Sequence, residues 1–323
     1  MFEFKKYPEI ENHFYEKYIQ EVREYIKEKE NVDIDLLKYI VELKDDGSNL
    51  SLLVSPDGSI NLYTRMGDLI GTAETAEGFF DVAGTLKRPE YVELLDKMKM
   101  AARSENTTLQ FYGEYYGGEI QRRITYGPDK DLKYIHLFGL RRFEGESSFI
   151  IPPVDFDSFL EKYNMKQFRS TVIAFCETLE AALNIDISGI LEPSNPVGKN
   201  TIEGVVIKPY LRNIYNQDGI FYIKKKNEKF GERNKKPETA PEIVNLNSVF
   251  SEYITVNRVE GIYSKLGKRI RQPSEVGDYI RAVLDDAKKD FLKDHEGLEL
   301  TKEQQKIVFN VRDKVLQILK KEF

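Results

Sequence analysis

One lysine of this sequence stands where covalent chemistry could begin. Lys44 follows the apolar run Tyr39–Leu43 and is itself followed by Asp45, Asp46 and Gly47. A primary amine at the end of a strand, beside a small polar loop, can act as a nucleophile when neighbouring groups favour its neutral form. The same pattern also suits the solvated end of a hairpin. Residues farther along the chain bear on which interpretation holds.

Three downstream stretches carry side chains that could serve such an amine. Glu114 lies between tyrosines and glycines, which suits a carboxylate that accepts a hydrogen bond from a ribose hydroxyl, although an edge strand with packed tyrosines is an alternative. Glu203 opens a strand-like run ending at Lys208, and a carboxylate there could hold a magnesium ion. Period-two alternation puts Glu203 and Lys208 on opposite faces, and puts Lys224 and Lys226 on one face. Those two lysines repel each other unless a phosphate lies between them or water surrounds them.

The composition indicates a soluble protein with room for two domains. The chain has 323 residues, of which 41% are hydrophobic and 32% charged. No apolar run approaches the roughly 20 residues of a membrane span, and the N-terminal residues lack a signal-peptide pattern. Its single cysteine, Cys176, lies in an apolar run and is expected to be buried, and with three separated histidines a zinc site is not expected. We therefore expect an intracellular, cytoplasmic protein with no membrane partner.

Basic residues are concentrated in two stretches of an otherwise acidic chain. The net charge is −6, yet basic residues outnumber acidic ones by ten to four from position 199 to 236. Between positions 253 and 271 the ratio is five to one. Such stretches can be solvated faces, but they can also hold a polyanion in a groove.

Hydrophobic periodicity predicts a mixed architecture. We expect a helical entry segment within residues 1–30, with Phe14, Tyr18, Val22 and Tyr25 on one stripe. A strand over 39–43 precedes a hairpin of strands 50–54 and 60–65, which brings Arg65 towards Lys44. Residues 88–104 have the spacing of an amphipathic helix, and 134–138 that of a buried strand.

The last third of the chain changes its pattern. Residues 231–241 are charged and contain proline, which is typical of a linker, so we place a domain boundary between residues 240 and 241. Beyond it, two stripes recur at helical spacing. The first stripe comprises Val276, Tyr279, Ile280, Val283, Leu284, Ala287 and Phe291, and the second Ile307, Val311, Val315 and Leu319. Thr301 and Gln304 have the spacing of a capping box that opens the last helix.

Taken together, these residues resemble a known group of enzymes. Lys44, Arg65, Glu114, Phe138, Glu203 to Lys208, and Lys224 with Lys226 occur in the order and approximate spacing of the covalent nucleotidyltransferase superfamily, which contains nucleic-acid ligases and capping guanylyltransferases. The stretches 1–13, 119–127, 224–230 and 253–259 resemble more closely the RNA ligase 2 family, the T-even phage type that seals nicks in double-stranded RNA. This resemblance covers nearly the whole chain.

The resemblance implies an α+β fold of two domains. Residues 1–240 would form a nucleotidyltransferase (ATP-grasp-like) domain of antiparallel β-sheets with flanking helices. Residues 241–323 would form a small all-α domain. DNA ligases and capping enzymes have a β-barrel domain at this point, so the helical spacing favours an RNA ligase.

The resemblance also implies a reaction and its cofactors. Lys44 would attack ATP to form a lysyl-adenylate, the AMP would pass to a 5′-phosphate end, and a 3′-hydroxyl would displace it. Lys224, Lys226 and Mg²⁺ (or Mn²⁺) would favour the neutral amine and stabilise the transferring phosphoryl group. The expected partners are RNA ends, chiefly nicks in duplex RNA, with RNA/DNA hybrids as an alternative, and the expected state is a monomer.

The same resemblance assigns the remaining site residues. Glu203 would bind the metal, Glu114 the ribose and Phe138 the adenine; Leu43, Asn49, Arg65 and Lys208 would complete the nucleotide site, with Asn49 and Arg65 also serving catalysis. Arg258 and Asp285 of the C-terminal domain would contact the nucleic acid or serve the chemistry, although a helix-surface role for Asp285 is an alternative.

Position 46 departs from the family pattern. The RNA ligase 2 family commonly has histidine there, whereas this chain has Asp46, as DNA ligases and capping enzymes do. Asp46 is expected among the nucleic-acid contacts. An ATP-dependent DNA nick ligase, a GTP-using capping enzyme and a non-catalytic RNA-binding protein are the alternative functions.

Overall fold

The computed structural model describes residues 3–76, 78–118, 120–121, 123–127, 129, 131–194, 200–217, 219–231, 246–270 and 272–320. The chain forms two compact units, Met1–Asn227 and Glu228–Phe323. The predicted linker at 231–241 and the predicted boundary at 240/241 lie almost wholly outside the described residues, which stop at Gly231 and resume at Leu246.

The first sheet of the N-terminal unit has five strands. Its members are β1 (Glu11–Asn12), β2 (Tyr39–Lys44), β9 (Val172–Cys176), β10 (Gly204–Pro209) and β13 (Ile223–Lys226). They are arranged in the order β1-β13-β10-β2-β9, and all pairs are antiparallel except β1 with β13. Cys176, which was expected to be buried, is only partly so at the edge of this sheet.

One face of this sheet packs against helix α1 (Glu16–Glu30). The helix buries Ile19, Val22 and Ile26 in one apolar cluster. The strand β2 contributes its alternate residues Val41 and Leu43 to the same cluster. Of the predicted stripe, Val22 is buried, Tyr18 and Tyr25 are only partly buried beside it, and Phe14 precedes the helix. The opposite face of the sheet is therefore available for polar side chains.

The second sheet has six strands, all antiparallel. They are β3 (Gly47–Val54), β4 (Ile60–Thr64), β5 (Leu69–Thr72), β6 (Leu109–Gly117), β7 (Lys133–Glu144) and β8 (Ser147–Ile150), in the order β5-β4-β3-β6-β7-β8. Helices α2 (Val82–Leu86), α3 (Pro89–Glu105) and α4 (Pro153–Lys162) supply apolar residues to the core on one face. The predicted hairpin and the predicted helix at 88–104 are confirmed. The unit is completed by α5 (Leu179–Leu183) and by the short pair β11 (Tyr215–Asn216) and β12 (Gly219–Ile220).

The two sheets are joined at Lys44. Because β2 ends at Lys44 and β3 begins at Gly47, Asp45 and Asp46 form the whole connection between them. A third apolar cluster, which contains Tyr7 and Tyr222, bridges the sheets on their non-core faces. These faces consequently form the two walls of a common site.

Among the described residues of the C-terminal unit, the regular elements are all helices, as predicted. The unit contains α6 (Leu246–Glu252), α7 (Val256–Leu266), α8 (Val276–Asp294), α9 (Lys302–Val308) and α10 (Arg312–Leu319). The capping box of Thr301 and Gln304 is present at the start of α9.

The prediction of a continuous last helix is wrong. The chain is not helical between α9 and α10, and Ile307 is 68% exposed rather than part of the buried stripe. The amide of Asn247 donates to the carbonyls of Ile307 and Val308, which satisfies groups left unpaired at a helix end. Phe309 then packs edge-on against Phe250, and the next helix, α10, begins at Arg312.

Arg258 is a structural residue of this unit. Its side chain is buried in α7, where Nε donates to the carbonyl of Tyr253 at 2.8 Å. The guanidinium also pairs with Asp286 and with Asp290, the latter at 2.7 Å. These contacts direct the donors of Arg258 into the unit, which favours a structural role; its predicted nucleic-acid contact stays a prediction. Asp285, the other residue predicted to contact nucleic acid, is exposed on α8 and directly precedes Asp286.

We predict that Arg258→Met destabilises the C-terminal unit. Two aspartates would lose their buried counter-charge, so the free energy of unfolding should fall by about 3 kcal/mol. Arg281→Met is the matched control, because Arg281 makes an exposed pair with Asp278 on α8 and should cost less than about 0.5 kcal/mol. Thermal and urea unfolding measure the difference. Equal stability of the two variants would contradict the structural assignment.

Candidate active site

Three lysines lie on one face of the five-stranded sheet because of strand register. Lys44 on β2 and Lys226 on β13 both pair with Gly204 of β10, and Lys224 pairs with Val206. Directly opposite residues of antiparallel strands point to the same side. Gly204 permits the close packing of this row, since a Cβ at that position would lie 2.3 Å from the carbonyl oxygen of Lys225.

Glu203 holds two of these lysines. Its buried carboxylate accepts from Lys44 Nζ at 2.6 Å through Oε2 and pairs with Lys226 Nζ at 3.1 Å through Oε1. Burial opposes ionisation of this carboxyl group, but Lys44 and Lys226 outweigh burial and lower the pKa of Glu203 to about 2. The group is therefore an anion at neutral pH, positioned between two ammonium groups.

The facing wall comes from the six-stranded sheet. Asn49 on β3, Glu114 on β6 and His136 on β7 are directly opposite one another in the register. Burial and the negative charge of Glu203 raise the pKa of the Glu114 carboxyl to about 8, although Lys44 lowers it. His136 Nδ1 lies 2.9 Å from Oδ2 of Asp45, the residue after Lys44, so this row lies beside the nucleophile.

Arg65 and Phe138 lie at the margins of this wall. Arg65 directly follows β4 and pairs through Nη2 with Glu9 at 3.2 Å; its charge also acts on Glu114. The ring of Phe138 meets Tyr7 edge-to-face, with centroids 4.9 Å apart. Both residues thus lie on, or directly follow, strands of the six-stranded sheet that carries Asn49 and Glu114, which are predicted to bind the nucleotide.

Lys208 lies on the same sheet face as Lys44 but is buried. Its Nζ donates to Glu42 Oε2 at 2.6 Å and to the carbonyl oxygen of Phe138 at 2.8 Å. Glu42 also accepts from Arg169 at 2.8 Å through its other oxygen. Lys208 therefore supports the backbone of Phe138, and the direct nucleotide contact predicted for it stays a prediction.

Leu43 lies at the end of β2 with its side chain turned away from the lysine row. That side chain belongs to the core on the α1 side of the sheet. Its N–H donates to the Thr171 carbonyl at 2.7 Å, and its own carbonyl accepts from Ser170 Oγ at 2.8 Å. These bonds fix the end of β2, and the predicted place of Leu43 in the nucleotide site stays a prediction.

The two aspartates after Lys44 are held from different directions. Asp45 Oδ2 lies 2.9 Å from His136 Nδ1, and His136 Nε2 lies 2.9 Å from the hydroxyl of Tyr116. Asp46 is 2% exposed, and both of its carboxylate oxygens accept from Arg123. The predicted nucleic-acid contact of Asp46 is thus not what its surroundings favour.

Sequence reasoning missed four of these side chains: Glu42, Arg123, His136 and Arg169. Each meets its partner across a large sequence separation, so no local pattern reveals the pairing. The stretch 119–127 was singled out by resemblance, which was the available signal for Arg123.

The donor set suits a divalent cation only in part. The described residues contain no group of three or more His, Cys, Asp or Glu side chains arranged to hold a metal. Glu203 nevertheless supplies one ionised carboxylate at the end of a strand. That suffices for Mg²⁺, which commonly binds through one or two carboxylates and takes its other ligands from phosphates and water.

We predict that Glu114→Gln changes how stability depends on pH. Folding raises the pKa of this carboxyl from 4.5 to about 8, so its stabilising contribution is complete below pH 4.5 and is lost as pH rises through 8. The uncharged amide avoids that loss. Between pH 5 and 9, the free energy of unfolding of the variant should therefore rise by about 2 kcal/mol relative to that of the wild type, allowing for the partly accessible side chain.

Urea unfolding at several pH values measures this effect. Glu161→Gln, on the exposed side of α4, is the control and should follow the wild-type profile. A Glu114→Gln profile parallel to that of the wild type would refute the raised pKa.

In the chain's described residues, no helix combines the length and the apolar character that a bilayer crossing requires.

Comparison with known proteins agrees with this architecture. The family model described as RNA ligase matches residues 37–226, and the model described as T4 RNA ligase 2 C-terminal matches residues 237–317. A mutant Naegleria gruberi RNA ligase with ATP and Mn is 20% identical over 70% of this chain and 57% of its own, with a TM-score of 0.47. An archaeal ATP-dependent RNA ligase is 15% identical over 90% of this chain and 65% of its own, with a TM-score of 0.47.

The chain thus spans less than two thirds of the length of these solved chains. The RNA ligase model alone covers more than half of the sequence and contains every strand of the lysine row. This chain belongs to the RNA ligase family, and its C-terminal part is of the RNA ligase 2 type.

Proposed function

We propose that this protein is an ATP-dependent RNA ligase that joins 3′-hydroxyl and 5′-phosphate ends through a lysyl-adenylate. The observation that carries the proposal is the row of Lys44, Glu203 and Lys226, which faces Glu114 and Phe138 in a member of the RNA ligase family. The similarity to a Naegleria gruberi RNA ligase solved with ATP and Mn supports the choice of cofactors.

In the first step, Lys44 Nζ would attack the α-phosphorus of ATP. A nitrogen–phosphorus bond forms, the bond to the bridging oxygen breaks, and pyrophosphate leaves with its electron pair. The amine must first leave Glu203 and lose a proton, since the 2.6 Å contact between them is that of an ammonium–carboxylate pair. Lys224 and Lys226 would offset the negative charge of the phosphoryl group. A bound Mg²⁺ would supply further charge neutralisation there, held by Glu203.

The opposite wall would bind the nucleoside. Phe138 presents a ring that can stack on adenine, and Glu114 can exchange a hydrogen bond with a ribose hydroxyl in either protonation state. Asn49 and Arg65 would contact the phosphate, because Asn49 is opposite Glu114 and Arg65 follows the neighbouring strand. Lys208 would hold Phe138 in position through its hydrogen bond to the Phe138 carbonyl oxygen.

The later steps would act on nucleic acid. AMP passes from Lys44 to the 5′-phosphate end, and the 3′-hydroxyl oxygen then attacks that phosphate and releases AMP. We propose nicks in duplex RNA, including RNA/DNA hybrids, as the substrate and a monomer acting inside the cell. The RNA ligase 2 type of the C-terminal part supports this choice.

We predict that Lys44→Arg abolishes covalent labelling by α-labelled ATP. Arginine keeps the positive charge but cannot serve as the neutral amine, since its pKa is too high. Lys38→Arg is the control, because Lys38 precedes the same strand and pairs at the surface with Glu177. Denaturing electrophoresis and mass spectrometry of the labelled peptide provide the measurement. Label retained by Lys44→Arg would overturn the proposed function, as would a labelled wild type that uses GTP in place of ATP.

A second candidate, a DNA nick ligase, is favoured by Asp46. We predict that a nick with an RNA 3′-hydroxyl strand is sealed at least about tenfold faster than the same nick with a DNA strand, a difference of 1.4 kcal/mol in transition-state binding. Single-turnover sealing with pre-adenylylated ends removes any effect of ATP binding. A preference for the DNA strand would favour the second candidate.

A further inference from the structure

Asp46 is enclosed to a degree that an ordinary loop aspartate is not. Arg123 Nε donates to its Oδ2 at 2.9 Å, and Arg123 Nη2 donates to its Oδ1, so the pair is bidentate. The backbone N–H of Asp46 donates to the hydroxyl of the buried Tyr126 at 2.7 Å. One short segment, residues 123–126, therefore fixes both the backbone and the side chain of position 46.

This pair lies within the turn that carries the candidate nucleophile. Asp45 and Asp46 are the only residues between Lys44 and β3, so the turn has little freedom to absorb a displacement. Its far end is tightly packed as well, because a Cβ at Gly47 would lie 2.4 Å from the carbonyl oxygen of Tyr115. A movement of Asp46 must therefore be transmitted to Lys44.

Arginine is the side chain suited to this task. Its planar guanidinium matches a carboxylate with two parallel hydrogen bonds and so fixes orientation as well as distance, which a lysine ammonium does not. Burial and the nearby Glu203 both disfavour the Asp46 anion, raising the pKa of Asp46 to about 6, and Arg123 opposes this. Without Arg123, the carboxyl group would take up a proton or turn away, and the turn would lose its anchor.

We propose that Arg123 is a positioning residue for the adenylylation reaction, acting through Asp46 to set Lys44 against Glu203. The inference rests on the proposed function, since it concerns the rate of lysyl-adenylate formation. It also accounts for the aspartate at position 46: in this chain the carboxylate is the partner of Arg123 and not a contact to nucleic acid.

The experiment measures pre-steady-state formation of the covalent adenylate with labelled ATP and Mg²⁺. The burst amplitude reports the fraction of competent molecules, and the rate constant at saturating ATP reports the chemical step. The variants are Arg123→Met, Arg123→Lys and Asp46→Asn. Arg23→Met is the matched control, because Arg23 makes the same kind of bidentate pair with Asp35, at 2.6 and 2.9 Å, away from the site.

We expect Arg123→Met to lower the rate constant at saturating ATP about 100-fold, the loss typical of a reacting group displaced by about 1 Å. The ATP concentration for half-maximal rate should change little, because Arg123 is assigned no contact with the nucleotide. Arg123→Lys should recover part of the rate. Adding Asp46→Asn to Arg123→Met should cause little further loss, since both changes break the same pair.

Three results would overturn the inference. A rate constant within threefold of the wild type, with only the amplitude reduced, would leave Arg123 a role in stability alone. Equal slowing by Arg23→Met would show that the effect is not local. A change only in the ATP concentration for half-maximal rate would assign Arg123 to ATP binding. If Arg123→Met does not fold, Arg123→Lys and Asp46→Asn provide the same comparison. A wild type that forms no adenylate would instead refute the proposed function.

Discussion

The candidate active site depends on one buried carboxylate between two lysines. Lys44 and Lys226 belong to strands that are distant in sequence, and strand pairing alone would leave their like charges facing each other. Glu203 interacts with both, through Oε2 at 2.6 Å and Oε1 at 3.1 Å, and so stabilises the row. A buried carboxylate is costly unless it is paired, and here the pairing is strong enough to keep it ionised. The same interaction holds the Lys44 side chain in place until that contact is broken.

A second carboxyl group near Lys44 behaves in the opposite way. Glu114 has a pKa of about 8, whereas that of Glu203 is about 2. The difference arises from the surroundings: Glu203 is in direct contact with the amino groups of Lys44 and Lys226, while partial burial and the like charge of Glu203 both disfavour ionisation of Glu114. Environments that separate the pKa values of neighbouring groups also separate their roles. One carboxyl can hold cations at neutral pH, and the other can donate a hydrogen bond.

Local features of the fold could be predicted from the sequence, and long-range partners could not. The apolar run 39–43 identified the strand that ends at Lys44, and helical spacing identified the character of the C-terminal unit. Arg123 and His136 escaped prediction because their partners lie 77 and 91 residues away. Arg258 was assigned to the nucleic acid by family resemblance, which carries no information on its ion pairs. Only the packing of α7 against α8 brings it to Asp286 and Asp290. The break before α10 likewise depends on Asn247, which no periodicity reveals.

The buried charges near Phe138, like those around Asp46, are paired with each other and fix the position of a residue of the candidate site. Lys208, Glu42 and Arg169 form a chain of ion pairs that continues to Asp157 on α4. Apolar side chains of similar volume could stabilise such a region as well, so stability alone does not account for the chain. Unlike apolar contacts, polar contacts also fix orientation. The ion pair with Glu42 holds Lys208 Nζ where it donates to the Phe138 carbonyl oxygen of the other sheet, 2.8 Å away. Since Lys208 and Lys44 lie on the same face of the first sheet, this bond fixes the second wall relative to the nucleophile. The distance across the site is therefore set by hydrogen bonds between the sheets, and both walls can be rigid before any ligand enters.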